Sequence, residues 1–150
     1  MRLIQTLVLL SCSFHVQAFD ISNTGEYAVV HVDGHLTDKV FRVLQKDGRW
    51  AVEDKKAEGS WEDVTCEDEC KLVVSSPQQV EILVGNNAPT DESAECIHNQ
   101  AFAICSITSQ GVNHRKYLFA APENNQIIRL KLRRLNGLNK ALQPTAKRGG

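Results

Sequence analysis

Short runs of apolar residues, separated by turn-forming residues, recur along most of this chain. Four turn signals that each contain glycine divide the first half: Asn23-Thr24-Gly25, Asp33-Gly34, Asp47-Gly48 and Glu58-Gly59. The runs between them are rich in β-branched and aromatic residues, and this spacing is typical of an antiparallel meander. The pattern predicts strands at 27–32, 40–44, 50–53, 60–65 and 71–75.

The pattern changes at Ser76, where a hydroxyl residue is followed by Pro77 and, three residues after the cap, by Gln79. This is a capping-box sequence with proline at the first helical position. It predicts a short helix over 77–84 that Gly85 ends, although the apolar run VEILV is also compatible with a strand. The polar stretch 86–95 is predicted to be a loop.

Three strands are predicted in the second half, at 101–107, 116–121 and 126–135. The first is almost entirely apolar, which indicates a central strand covered on both faces. The last alternates Ile128, Leu130 and Leu132 with Arg129, Lys131 and Arg133, the period of a strand. The sequence therefore predicts a mainly β protein: a single antiparallel β domain, barrel or sandwich, with about seven or eight short strands and one possible short helix.

The N-terminus has the order of features of a secretory signal peptide. Arg2 supplies the positive charge, residues 3–10 the apolar region, and Val16-Gln17-Ala18 the small residues before a cleavage site. We therefore predict a signal peptide at 1–18, a β domain at 19–135, a disordered tail at 136–150, and no transmembrane helix in the mature chain. The chain is expected to be exported, to the periplasm or outside the cell. In an alternative interpretation, Leu9-Leu10-Ser11-Cys12 is a lipobox and Cys12 anchors a lipoprotein.

Removal of the signal peptide would leave four of the five cysteines, and an even number in an exported chain indicates two disulfides. Local spacing favours Cys66–Cys70 and Cys96–Cys105, although crossed pairings are also compatible with the sequence. A zinc site using these cysteines with His98 or His114 is less favoured, because the spacing lacks a second tight pair. No metal and no cofactor are predicted.

The net charge of −1 conceals a strong asymmetry along the chain. Residues 19–96 contain 17 acidic and 7 basic residues, whereas residues 97–150 contain one acidic and nine basic residues. A basic stripe for an anionic partner is predicted from seven residues: His114, Arg115, Lys116, Arg129, Lys131, Arg133 and Arg134. The alternative is that strand cations pair with Glu53, Asp54, Glu62 or Asp63 across the sheet.

The sequence contains no nucleophile elbow, zinc-protease motif, P-loop or dinucleotide-binding motif. We therefore predict an exported, non-enzymatic binding or inhibitor-type protein whose basic strand face meets anionic lipid, acidic polysaccharide or an acidic protein. Nucleic acid is not expected as a partner. Two alternatives remain open: a small hydrolase centred on His98 with Glu95 or Asp91, and a structural envelope lipoprotein.

The C-terminal stretch 139–147, Asn-Lys-Ala-Leu-Gln-Pro-Thr-Ala-Lys, resembles the endings of small secreted proteins encoded in bacterial integron gene cassettes. In such proteins the reading frame runs into the recombination site. The resemblance implies a bacterial source and a mobile accessory gene, and it covers about the last dozen residues only. It assigns no functional residues. It implies that the three basic residues of the tail do not belong to the binding surface: Lys140, Lys147 and Arg148.

Overall fold

The computed structural model describes residues 19–65, 70–87, 92–109, 111 and 114–135. Nine strands and one α-helix lie in these ranges: β1 (Gly25–Val30), β2 (Leu36–Lys46), β3 (Arg49–Lys55), β4 (Trp61–Asp63), β5 (Val73–Val74), α1 (Pro77–Val84), β6 (Glu92–His98), β7 (Ala103–Ser109), β8 (Arg115–Glu123) and β9 (Gln126–Leu135). A 3-10 turn at Ile21–Asn23 precedes β1, and a second at Gly85–Asn87 follows α1.

All nine strands belong to one antiparallel sheet, in the order β4-β3-β2-β1-β9-β8-β7-β6-β5. Two meanders, β1 to β4 and β5 to β9, are joined where the first and last strands pair. The predicted antiparallel β class is confirmed. The described residues form a single sheet rather than two packed sheets, with nine strands instead of the predicted seven or eight.

The sheet is curved into a half-barrel. Strands lie about 4.8 Å apart, so a flat sheet would separate the edge strands β4 and β5 by about 38 Å. Ten residue steps join Asp63 to Val73, and an extended chain covers at most about 36 Å in that number of steps. The ring centroids of Phe41 on β2 and Phe119 on β8 lie 6.2 Å apart although two strands separate them. Both observations indicate a bent sheet, and the ring contact puts the concave side on the face that carries Phe41 and Phe119.

The inner face carries the main core, which joins residues from both arms of the sheet. Trp50 on β3 and Ile97 on β6 belong to one apolar cluster, with Tyr27 fully buried between them in the sheet order. Phe19 is 4% exposed and packs edge-on against Trp50 with ring centroids 4.9 Å apart. The chain before β1 is therefore part of the core.

The outer face is covered by α1 over strands β6 to β8. Val84 packs there with Ile107 and Leu118, together with the disulfide Cys96–Cys105. The two cysteines are directly opposite each other in the β6–β7 register. Because β7 lies between the inner core and α1, both of its faces are buried, as its apolar sequence predicted.

The helix boundaries match the prediction, and Ser76 and Gln79 make the reciprocal hydrogen bonds of a capping box. The predicted loop 86–95 is wrong in its last part, because β6 begins at Glu92. The sequence of β6 does not alternate between apolar and polar residues, because several of its positions carry polar side chains. Those side chains are accommodated by hydrogen bonds to other elements of the fold.

Several predicted features lie wholly or partly outside the described residues. The signal peptide, Cys12 and the tail are outside them, as is Cys66. One disulfide, not two, lies within the described ranges, and the Cys66–Cys70 pair stays a prediction. Within those ranges, no helix combines the length and the apolar character needed to cross a bilayer.

Replacing Cys96 and Cys105 together with alanine should lower the free energy of unfolding by about 2–3 kcal/mol. The bond closes a loop with a sequence separation of 9, so its loss gives the unfolded chain more freedom. Urea unfolding of the oxidised wild type and the double variant measures the difference. Equal midpoints would show that this bond does not stabilise the sheet.

Candidate functional site

The predicted basic stripe does not form one surface, because strand alternation divides its residues between the two faces of the sheet. Arg134 on β9 is paired with Tyr27, whose side chain is in the inner core. Arg133, one residue earlier, therefore points to the outer face. By the same alternation Arg115 points inward with Tyr117, and Lys116, Arg129 and Lys131 point outward.

The two inward arginines hold the N-terminal segment, which we define as residues 19–24, across one end of the half-barrel. Arg134 donates to the carbonyl oxygens of Ser22 and Thr24, at 2.9 and 2.5 Å. Arg115 donates to the Ser22 hydroxyl and, at 2.9 Å, to the Asn23 side-chain oxygen. These hydrogen bonds give both arginines a structural role.

Asn23 links this segment to a buried polar row on the inner face. The residue is fully buried, and its amide nitrogen donates to Glu95 at 2.8 Å. Burial raises the pKa of Glu95, while the hydrogen bond from Asn23 partly opposes the shift. Ser106 lies opposite Glu95 in the register, and its hydroxyl is buried without a hydrogen-bond partner in the described structure.

Arg129 is also structural. Its guanidinium donates to the carbonyl oxygens of Leu83 and Ile82, both at 2.7 Å, and to that of Ile127 at 3.1 Å. The first two carbonyls belong to the last turn of α1, which lacks intrahelical partners. A cation there also interacts favourably with the negative end of the helix dipole. Arg129 therefore fastens α1 to the outer face.

The other outward cations have different surroundings. Lys116 forms an ion pair with Glu92 at 2.7 Å. Lys131 and Arg133 are exposed and have no ion pair among the described residues. We call these two residues the crest pair, because β9 is the fifth of the nine strands and so lies at the middle of the convex face. His114 is exposed just before β8.

The alternative pairing of strand cations with the acidic first half is wrong for the residues named. Glu53 accepts hydrogen bonds from Arg42 and Lys46, and Asp54 pairs with Lys39 at 2.6 Å. Glu62 pairs with Lys56, and Lys46 also approaches Asp63 at 3.4 Å. The acidic residues of β3 and β4 form ion pairs with basic residues from the first half of the chain. They do not reach the cations of β9, because β1 and β2 lie between.

His98 uses both ring nitrogens in contacts with neutral side chains. Gln79 gives its amide oxygen to the backbone N–H of Ser76, so its NH₂ group faces His98 Nε2 at 3.2 Å. Nε2 must then accept, and Nδ1–H donates to the Ser75 hydroxyl, 2.8 Å away. Ser75 is an acceptor in this arrangement, which is the reverse of an activated nucleophile. The predicted partner Asp91 lies outside the described residues.

Among the described residues, no group of three or more His, Cys, Asp or Glu side chains is arranged to hold a metal ion. No family model, curated protein or solved structure matches the chain. The assignment of function therefore rests on how the fold distributes charge. The members of the predicted stripe that remain exposed, with neither an ion pair nor a side-chain hydrogen bond among the described residues, are the crest pair and His114.

Replacing Glu95 with glutamine should raise the melting temperature at pH 7. Because the folded-state pKa of Glu95 is raised, its ionisation opposes folding as the pH rises through that pKa. Glutamine keeps the acceptor for Asn23 and removes the charge. The gain should close as the pH falls below about 4.5, near the ordinary pKa of the carboxyl group.

Glu92→Gln on the same strand is the matched control. Hydrogen bonds from Lys116 and Ser109 hold the pKa of Glu92 below its ordinary value, so its charge stabilises the fold at neutral pH and this contribution is lost in acid. The control should therefore lower the melting temperature at pH 7. Thermal scans from pH 3 to 8 that gave both variants the same sign would contradict this account.

Arg129→Met should cost about 1–3 kcal/mol of unfolding free energy, because two charge-assisted hydrogen bonds to the end of α1 are lost. Arg133→Met, on the same face of the same strand, should change stability by less than about 0.5 kcal/mol. Urea unfolding followed by circular dichroism measures both. Equal losses would show that Arg129 has no special role in holding the helix.

Proposed function

We propose that this chain is an exported, non-enzymatic binding protein, of inhibitor or similar type, which holds an anionic partner on the outer face of its half-barrel. The observation that carries the proposal is the crest pair. Lys131 and Arg133 are exposed on the middle strand of the convex face, and no acid within the described residues neutralises them.

A third cation lies beside the crest pair on the outer face. Continuing the Tyr117–Leu132 register by one residue puts Lys116 opposite Arg133. On the other side, Arg133 is paired with Ala28, whose small side chain leaves the guanidinium uncovered. Three cations therefore lie on two adjacent strands, and Glu92 forms an ion pair with one of them, Lys116.

Like charges facing each other across strands are destabilising, so such a group is expected where an anion offsets the repulsion. The inner face has the same arrangement, since the register also brings Arg115 opposite Arg134. There the N-terminal segment supplies the acceptors from within the chain. On the outer face Glu92 supplies the acceptor for Lys116, and the proposed partner would supply those for the crest pair.

The partner's chemistry follows from spacing and location. Alternate residues on a strand lie about 7 Å apart, so the crest pair suits two neighbouring carboxylate, phosphate or sulfate groups. The signal peptide proposed for residues 1–18 would expose this face to anionic lipid, acidic polysaccharide or acidic protein. A hydrolase centred on His98 has less support, because the hydrogen bonds of that ring leave Ser75 without a base.

The test is salt-dependent binding of wild type and a charge-reversed double variant, Lys131→Glu with Arg133→Glu. Three probes represent the three partner classes: vesicles containing an anionic phospholipid, an immobilised sulfated polysaccharide, and immobilised polyglutamate. Arg49→Glu with Lys71→Glu is the matched control, because it changes the net charge equally at exposed positions away from the crest.

Wild type and control should be retained on at least one probe at low salt and released as salt rises, while the crest variant should be released at lower salt. Circular dichroism should show that all three proteins fold alike. Failure of wild type to bind any probe, or release of the crest variant and the control at the same salt concentration, would contradict the proposal.

A further inference from the structure

The outer face of the sheet continues from the crest pair onto β1 and β2, where its side chains become apolar. Two rows of side chains cross this face from β9 through β1 to β2. Each row begins with a cation of the crest pair and continues with two apolar residues: Arg133-Ala28-Val40 and Lys131-Val30-Leu36. The register gives the first row directly, and continuing the β1–β9 register by one residue gives the second. These residues alternate with residues of the inner core such as Tyr27, so they share the outer face.

The apolar side of these rows is open to solvent and extends into the turn that follows β1. Val30 and Val40 are half-buried, whereas Leu36 is 43% exposed. Val32, in that turn, is 99% exposed. We call Val30, Val32, Leu36 and Val40 the apolar margin. Single exposed apolar residues are common on protein surfaces, but this group lies directly beside two cations that have no ion pair among the described residues.

Two acidic residues that are close in sequence to the apolar margin lie away from the crest pair. Asp33 turns its carboxylate toward the rings of His31 and His35, with Oδ1 at 3.0 and 3.1 Å from their Nδ1 atoms. Asp38 belongs to the irregular stretch of β2, so β1 lies between it and β9. The outer face therefore changes in one direction, from positive on β9 to apolar on β1 and β2.

Such a surface matches the layered chemistry of an anionic bilayer. Lipid phosphates suit lysine and arginine, and the boundary between headgroups and acyl chains accepts apolar side chains to a depth of about 5–10 Å. The two rows span three strands, or about 10 Å, so the cations and the apolar margin can reach both layers together. A sulfated polysaccharide would satisfy the cations and leave the apolar margin in water. An acidic protein would need a surface complementary to the protruding Val32, whereas lipid is deformable.

We propose that the partner of the outer face is a bilayer containing anionic phospholipid, with Val32 and Leu36 entering the headgroup region while the crest pair binds lipid phosphates. The inference rests on the function proposed above and adds the identity of the partner and a role for the β1–β2 turn. Electrostatic attraction and apolar burial both contribute to binding at a membrane surface. Weakening either contribution should therefore reduce binding by itself.

The test is sedimentation of the exported form of the protein with vesicles of phosphatidylcholine alone, or of phosphatidylglycerol and phosphatidylcholine in equal parts. Val32→Ser with Leu36→Ser removes apolar groups without changing the charge. Ile21→Ser with Val64→Ser is the matched control, because these side chains are also exposed, at 60% and 40%, and contain the same total number of carbon atoms. Wild type and control should bind the mixed vesicles alike and the phosphatidylcholine vesicles far less. The apolar variant should bind the mixed vesicles at least about fivefold more weakly.

The outcomes separate this inference from the function on which it rests. Equal binding of the apolar variant and the control to mixed vesicles would overturn the inference. Crest-dependent retention of wild type on the polysaccharide or polyglutamate, with none on vesicles, would also overturn it and would leave the proposed function standing. Undiminished binding of the crest variant to every probe would overturn the proposed function and, with it, this inference. Circular dichroism should show that all variants fold alike.

A second measurement locates the inserted side chains without a substitution. Nanodiscs of the mixed lipids that carry a spin label on an acyl chain should broaden the methyl NMR signals of Val32 and Leu36. The methyl signals of Ile21 and Val64 should be much less affected, because these residues lie outside the apolar margin. Equal broadening of all four residues would overturn the proposal.

Discussion

The connection between the two edge strands constrains the whole structure. Residues 64–72 must join opposite edges of a nine-stranded sheet, and they are too few to do so if the sheet is flat. Curvature gives one concave face, where aromatic side chains from distant strands meet, and one convex face with β9 along its middle. The division between the core and the proposed binding surface follows from that shape.

Closing one end of the half-barrel requires polar contacts as well as apolar burial. Phe19 enters the core beside Trp50, and Asn23 is buried with both ends of its side-chain amide hydrogen-bonded. Two arginines that contribute to the net positive charge of the second half are used in holding this segment. Some of the basic residues in the second half therefore stabilise the fold, and others, by our proposal, bind the partner.

Patterns that depend on near neighbours in sequence predicted much of the fold. The alternation along β9 and the capping box of α1 gave boundaries that match the structure. Polar strand β6 was missed because its acids find partners on other elements, as Glu95 does with Asn23, 72 residues away. The structural role of Arg129 was likewise hidden, since its acceptor Leu83 is 46 residues earlier.

The arginines of β8 and β9 divide into three with structural roles, Arg115, Arg129 and Arg134, and one, Arg133, in the crest pair that we propose binds the partner. The most direct test is NMR titration of ¹⁵N-labelled protein with a short sulfated oligosaccharide, following the side-chain Nε signals of the arginines. Arg133 should shift on binding, while the other three arginines, Arg115, Arg129 and Arg134, should not, because their guanidinium groups already make hydrogen bonds within the chain. Shifts at Arg115 or Arg134 with none at Arg133 would contradict it.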